Sequence, residues 1–211
     1  MAKHATTAVV LGGALALGLS SSSLFAEGPT GKMLADTCAG CHGTNGNSVG
    51  PATPNISAMD PYVFFDMMVA FAEDEIYSTI MGRIARGYSE EEIERMAEFF
   101  HEQEYIPADQ PYDASLVATG AELHEQYCAE CHIEDGKPVK DEDDYYILAG
   151  QWTPYLRFAM EDFIAERREM PRNMADEVND MFDAHGKESL ESLYAFYAAV
   201  YSDTEDDNGD N

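Results

Sequence analysis

"CAGCH", Cys38–His42, and "CAECH", Cys128–His132, hold all four cysteines of a 211-residue chain. Each is C-x-x-C followed at once by histidine. That order suits covalent attachment of haem: two thiols add to the two vinyl groups of the porphyrin, and the adjoining histidine lies under the ring to coordinate iron. Other uses of paired cysteines fit less well. A thioredoxin-like pair needs a βαβ context that is missing, and one four-cysteine zinc site would join pairs 90 residues apart while ignoring both histidines. A disulfide within C-x-x-C closes too short a loop to stabilise much. The reading is therefore two covalently bound haem c groups, held by Cys38, Cys41, Cys128 and Cys131, with His42 and His132 on iron.

Working outward from the two motifs, the flanking sequence repeats. "GKMLADTC" precedes the first and "GAELHEQYC" the second, each reading as a short helix that begins near a glycine and carries cysteine at its end. "PYVFFDMMVAF" from Pro61 matches "PYLRFAMEDF" from Pro154, with proline at a first helical position. "EEEIERMAEFF" matches "KESLESLYAFY", with apolar stripes Ile93, Met96, Phe99, Phe100 and Leu190, Leu193, Phe196, Tyr197. No strand-like alternation competes, so the fold is expected to be all-α, with two small domains at 27–105 and 113–201. Between them, 106–112 reads as a linker from its two prolines and polar residues. Domains this small bury little apolar surface, and a covalently held porphyrin supplies a plate around which helices pack.

The ends read differently. Residues 1–26 combine a lysine, a short apolar run and small residues before Glu27, the pattern of a signal peptide cleaved near Ala26. The expected mature protein is soluble, exported to the periplasm and free of a membrane span. The acidic segment 202–211 lacks apolar anchors and is expected to be disordered. Forty acidic residues against twelve basic give a formal net charge of -28, which disfavours nucleic acid as a partner. Because the acids are spread along the chain, a solvated surface explains them better than steering of a basic partner.

An electron-transfer haem takes a second axial ligand, and methionine raises its potential. Met67, Met68, Met96 and Met160 fall in amphipathic helices and read as packing residues. Met33 lies on the attachment helix and Met59 in a segment expected at the haem edge. Met81, in "STIMGRIARGYS", follows the expected helical run "DEIYSTI" and precedes a closing helix that begins near Ser89, which makes it the candidate ligand opposite His42. In the second half Met174 has an apolar residue seven positions later, as Met81 does, whereas Met170 precedes proline and is biased to an extended loop; both stay open. His101, His124 and His185 sit among charged residues and read as solvated. Trp152 reads either as packing against the second haem or as plain core.

"CAGCHGTNGNSVGP", "STIMGRIARGYS" and "EDDYYILAGQWTPYL" with "ERREM" together resemble the dihaem cytochrome subunit of flavocytochrome c sulfide dehydrogenase, within the wider group of two-haem soluble cytochromes c. The resemblance implies two tandem class I cytochrome c domains. It also implies a heterodimer with a separate FAD-containing chain that oxidises sulfide, from which electrons pass through this chain to a soluble cytochrome c. Carried over by position, the iron ligands would be His42 with Met81, and His132 with Met174 or Met170. The first half departs from the pattern in having "NISAMDPY" where two-haem chains have "LAGQ", and the acidic tail belongs to no shared motif. The chain has no G-x-G-x-x-G after a strand, so FAD belongs on the partner and sulfide chemistry with it. A free-standing dihaem carrier between respiratory complexes is the alternative function.

Overall fold

The computed structural model describes residues 28–202 apart from 141 and 143. The expected leader and the tail beyond Ser202 lie outside those residues. Every regular element among the described residues is helical. The first half contains α1 (Gly31–Ala35), α2 (Ala39–His42), α3 (Pro61–Ala72), α4 (Met81–Ala85) and α5 (Glu90–Glu102). The second contains α6 (Ala114–Tyr127), α7 (Thr153–Ile164), α8 (Arg172–His185) and α9 (Ser189–Ala199).

Local chemistry sets these boundaries. Buried Asp60 accepts from the Val63 N–H at 2.9 Å, with Pro61 at the first helical position of α3. Ser89 and Glu92 close a reciprocal capping box at the start of α5, where Glu90, Glu91 and Glu92 face the positive end of the helix dipole. The apolar stripe of α5 buries Ile93, Met96, Ala97 and Phe100 against Leu34, Phe64 and Met68, forming one core. Leu123, Leu156, Met181, Leu193, Tyr194 and Tyr197 form the other.

The two halves repeat in backbone detail as well as in sequence. The Gly46 carbonyl accepts from the Ile56 and Ser57 N–H groups, and the Gly136 carbonyl accepts from those of Leu148 and Ala149. The Ala58 N–H donates to the Phe100 carbonyl and the Gly150 N–H to that of Tyr197, each at 2.8 Å. Asp74 and Glu166, just past α3 and α7, both adopt left-handed backbone, at φ 63 and 55. In each half the first helix crosses the last at a glycine: a Cβ on Gly31 would lie 2.2 Å from the Arg95 carbonyl oxygen, and one on Gly120 would lie 2.0 Å from that of Ser192.

Three expectations change. "DEIYSTI" is irregular, because left-handed Asp74 stops α3 and β-branched residues follow; Met81 therefore opens α4 instead of following a helix. Helix α6 starts at Ala114, capped by Asp113, so Gly120 lies in its middle. Trp152 turns to the opposite half, where its indole N–H donates to the Ser48 carbonyl at 3.1 Å and its ring covers Gly50.

That tryptophan belongs to a buried polar seam between the halves. The Gln151 side chain accepts from the Asn55 N–H at 2.8 Å and donates to the Asn55 carbonyl at 3.0 Å, with Asn55 4% and Gln151 3% exposed. Buried Tyr145 donates its hydroxyl to the Ala58 carbonyl. The segment read as a linker is pinned on both sides. The Ile106 N–H donates to Asn47 Oδ1 at 2.9 Å, the Ala108 N–H to the Gly150 carbonyl at 2.7 Å, and Gln110 bridges Gln151 and Thr153.

Replacing Gln151 by alanine strands two buried backbone groups of Asn55, each costing about 1–3 kcal/mol. Urea unfolding of the Gln151→Ala chain should show an earlier midpoint, and limited proteolysis should cut between 103 and 112 where the parent resists. Gly120→Ala should lower stability by about 1–3 kcal/mol through overpacking of α6 on α9, read as a fall in melting temperature.

Candidate metal centres

In the first half α1, a 3-10 turn at Asp36–Cys38 and α2 carry the motif, and Gly43 ends the run. His42, the last residue of α2, is buried, with Nδ1 2.9 Å from the Pro54 carbonyl oxygen. A carbonyl only accepts, so Nδ1 carries the hydrogen in the neutral ring and Nε2 keeps a free lone pair. Burial also lowers the His42 pKa below its ordinary 6.5, which favours the neutral form. Cys38 is half-buried, Cys41 is exposed, and neither is in a disulfide. Burial pushes the Cys38 thiol up, with Thr37 opposing. Thr37 is itself held by the Tyr88 hydroxyl at 2.6 Å.

Met81 is half-buried and packs on the same apolar cluster as Cys38, Met59 and Tyr88. Met33 is 63% exposed and carries none of this cluster. Arg86 pairs with Asp74 at 2.8 Å on the surface behind α4.

In the second half Cys128 caps the end of α6 and is half-buried, with Cys131 exposed. Burial pushes the Cys128 thiol up to about 11, against hydrogen bonding to Tyr197. Burial, with the charge of His124 as a smaller cause, takes the His132 pKa down to about 4. His132 Nδ1 is buried and has no hydrogen-bond partner among the described residues. Met170 lies in extended chain before Pro171, and Met174 in the first turn of α8. Both are half-buried, but it is Met181, 1% exposed, that joins Cys128 in the apolar cluster.

His124 departs from its expected solvated position. It is 2% exposed, with Nδ1 3.0 Å from the Tyr197 hydroxyl. Its signal was present in the spacing, since Gly120, Leu123, His124 and Tyr127 form one helical stripe, but neighbouring glutamates obscured it. His101 is half-buried against the Met59 carbonyl at 3.2 Å, and exposed His185 meets the Tyr127 ring edge-on. The seam residues Asn55 and Gln151 lie in "NISAMDPY" and "LAGQ", but their pairing across the halves gave no sequence signal, because isolated amides in loops read as surface.

The donor sets suit covalently held iron. Each offers two free thiols, one turn apart, beside a neutral imidazole, buried in His42 and half-buried in His132, and no group of three or more acidic, histidine or cysteine side chains that could hold a bare metal ion occurs among the described residues.

The fold and these motifs define an all-α protein of two tandem class I cytochrome c domains. Residues 29–103 match the Cytochrome c family model. Over 70 residues the chain is 43% identical to the cytochrome subunit of sulfide dehydrogenase from Chlorobaculum tepidum, an alignment covering 33% of this chain and 63% of that relative. Among solved structures it is similar to reduced cytochrome c4 from Pseudomonas stutzeri, with TM-score 0.67 and 18% identity over 80% of this chain and 95% of that one. Thiosulfate dehydrogenase (TsdBA) from Marichromatium purpuratum matches with TM-score 0.67 and 20% identity, covering 80% of this chain and 39% of that one. Cytochrome c4 from Acidithiobacillus ferrooxidans gives TM-score 0.64 at 18% identity, covering 78% and 99%. No helix among the described residues is long and apolar enough to cross a membrane.

In the haem-free chain, alkylation should label exposed Cys41 and Cys131 before Cys38 and Cys128. Raising a thiol from 9.0 to about 11 cuts its thiolate fraction roughly a hundredfold, so Cys128 should react last in a peptide-mapped time course.

Proposed function

We propose that this chain is the dihaem electron-transfer subunit of a sulfide-oxidising flavocytochrome, accepting electrons from an FAD-containing chain and passing them to a soluble cytochrome c. The observation that carries the reading is the pair of equivalent C-x-x-C-H sites on a repeated fold, in a chain that is 43% identical over 70 residues to a sulfide dehydrogenase cytochrome subunit. A covalent haem in each domain would supply reversible one-electron chemistry at iron. This chain's residues then have distinct tasks. Cys38 and Cys41, and Cys128 and Cys131, hold the ring; His42 and His132 present neutral imidazoles; the packed helices exclude water.

Met81 is the proposed second ligand in the first domain. Repeat geometry favours Met174 over Met170 in the second. Equivalent residues lie 92 positions apart at Asp74 and Glu166 and 97 apart at Phe100 and Tyr197. Met81 to Met174 spans 93 positions, within that progression, whereas Met81 to Met170 spans 89 and demands a deletion followed by a longer insertion. The residues seven positions on, Tyr88 and Met181, also pack on their respective cores. The proposed boundaries are domains at 27–105 and 113–201, after a leader removed near Ala26 on export to the periplasm.

Replacing Met81 or Met174 by alanine should each remove about half of the methionine–iron absorption band of the oxidised chain, while Met170→Ala should leave it intact. The reverse result for the last two would move the ligand to Met170. Sulfide added to the complex co-purified from the native host should reduce both haems; reduction of neither would reject the sulfide reading and leave the dihaem chain as a carrier between other proteins.

A further inference from the structure

The two domains differ at one buried pair beside the attachment motif. In the first, Leu34, four residues before Cys38, and Phe100, whose carbonyl takes the Ala58 N–H, are both apolar core. In the second, the corresponding residues are His124, four before Cys128, and Tyr197, whose carbonyl takes the Gly150 N–H. A polar, titratable pair thus occupies a position that the repeat otherwise fills with hydrocarbon. The two rings meet edge-on with centroids 5.6 Å apart, and the His124 ring also lies 5.3 Å from that of Phe196. Tyr197 reaches Cys128 as well, linking the pair to the porphyrin attachment point.

We infer that His124, held by Tyr197, is a proton-accepting positioning residue that couples reduction of the second metal centre to uptake of a proton. The inference rests on the reading of Cys128–His132 as a haem site. One electron from a one-electron donor converts ferric to ferrous iron, and one proton from solvent adds to the ring nitrogen of His124 that lacks one. No covalent bond to carbon or sulfur breaks. In the imidazolium so formed, the Nδ1–H donates to the Tyr197 oxygen. Electrostatics sets the direction: a centre that has lost one positive charge repels a neighbouring imidazolium less, so reduction raises the proton affinity of His124.

The charges around His124 support such a role. Asp135, on the turn at Glu134–Gly136, and Glu125, on its own helix, favour the imidazolium, while burial opposes it and holds the resting affinity below the ordinary 6.5. Tyr197 on α9 and His132 in the motif face the same space; Glu177 on α8 faces Cys128, and His185 packs on Tyr127. The coupling should therefore operate in weakly acidic solution, the potential of the second centre falling as pH rises through that range.

The test uses the full haem-loaded chain, first checked for two covalent haems by a pyridine haemochrome assay, so that loss of the haem reading is detected separately. Electrochemical reduction in weak buffer near pH 6 should take up protons, and His124→Leu, which restores the residue of the first domain, should lower that uptake at least twofold without loss of haem. In parallel, NMR titration of the His124 ring in the unsubstituted chain should give a higher midpoint in the reduced than in the oxidised protein. Equal proton uptake in both chains, or one midpoint in both oxidation states, overturns the coupling. If His124→Leu fails to retain haem, Tyr197→Phe, which copies Phe100 of the first domain, should lower the reduced-state midpoint; an unchanged one also overturns it.

Discussion

The close crossing of each domain's first and last helices governs everything built around it. Gly31 against the Arg95 carbonyl and Gly120 against that of Ser192 leave no room for a side chain. Backbones that approach this closely fix both the rotation and the height of the first helix. The paired cysteines follow its far end, so their position follows from the crossing. The closing helix then offers Phe100 or Tyr197 to the carbonyl contact that anchors the loop leading into α3 or α7. One packing decision at a glycine thereby positions thiols, imidazole and the loop beside them.

The same frame is filled differently in the two halves. The first lines its interior with Leu34, Phe64, Met68 and Phe100 and adds Met81 to the cluster. The second substitutes His124 and Tyr197 and draws Met181 inward from a helix of fourteen residues, where the first half has five. Burying a polar pair costs unless it is satisfied, and the bond between His124 and Tyr197 satisfies it at 3.0 Å. Repeats that have lost sequence identity can keep backbone equivalence because carbonyl contacts and left-handed turns tolerate side-chain change.

Between the domains, amides in place of apolar side chains carry the contact. Gln151 satisfies both backbone groups of Asn55, and Trp152 and Tyr145 reach across to backbone carbonyls. Such directional contacts fix one orientation more tightly than a greasy patch would. The first half's "NISAMDPY" supplies Asn55 to this seam, facing the "LAGQ" of the second. The departure from repeat symmetry is thus part of the interface.

The helical class and the repeat of two helical domains were legible in the amino-acid order alone, because helical periodicity and the recurring C-x-x-C-H are local signals carried by near neighbours. The order also singled out Met81, which the fold packs on the same apolar cluster as Cys38, though it put that residue on the wrong side of a helix boundary, since left-handed Asp74 has no sequence signature of its own. The burial of His124, the turn of Trp152 toward the other domain and the pinning of 106–112 came only with the folded chain. Each depends on a partner far away in sequence, 73 residues for His124 and Tyr197 and 104 for Trp152 and Ser48. A polar residue reads as solvated until the fold supplies the group that satisfies it.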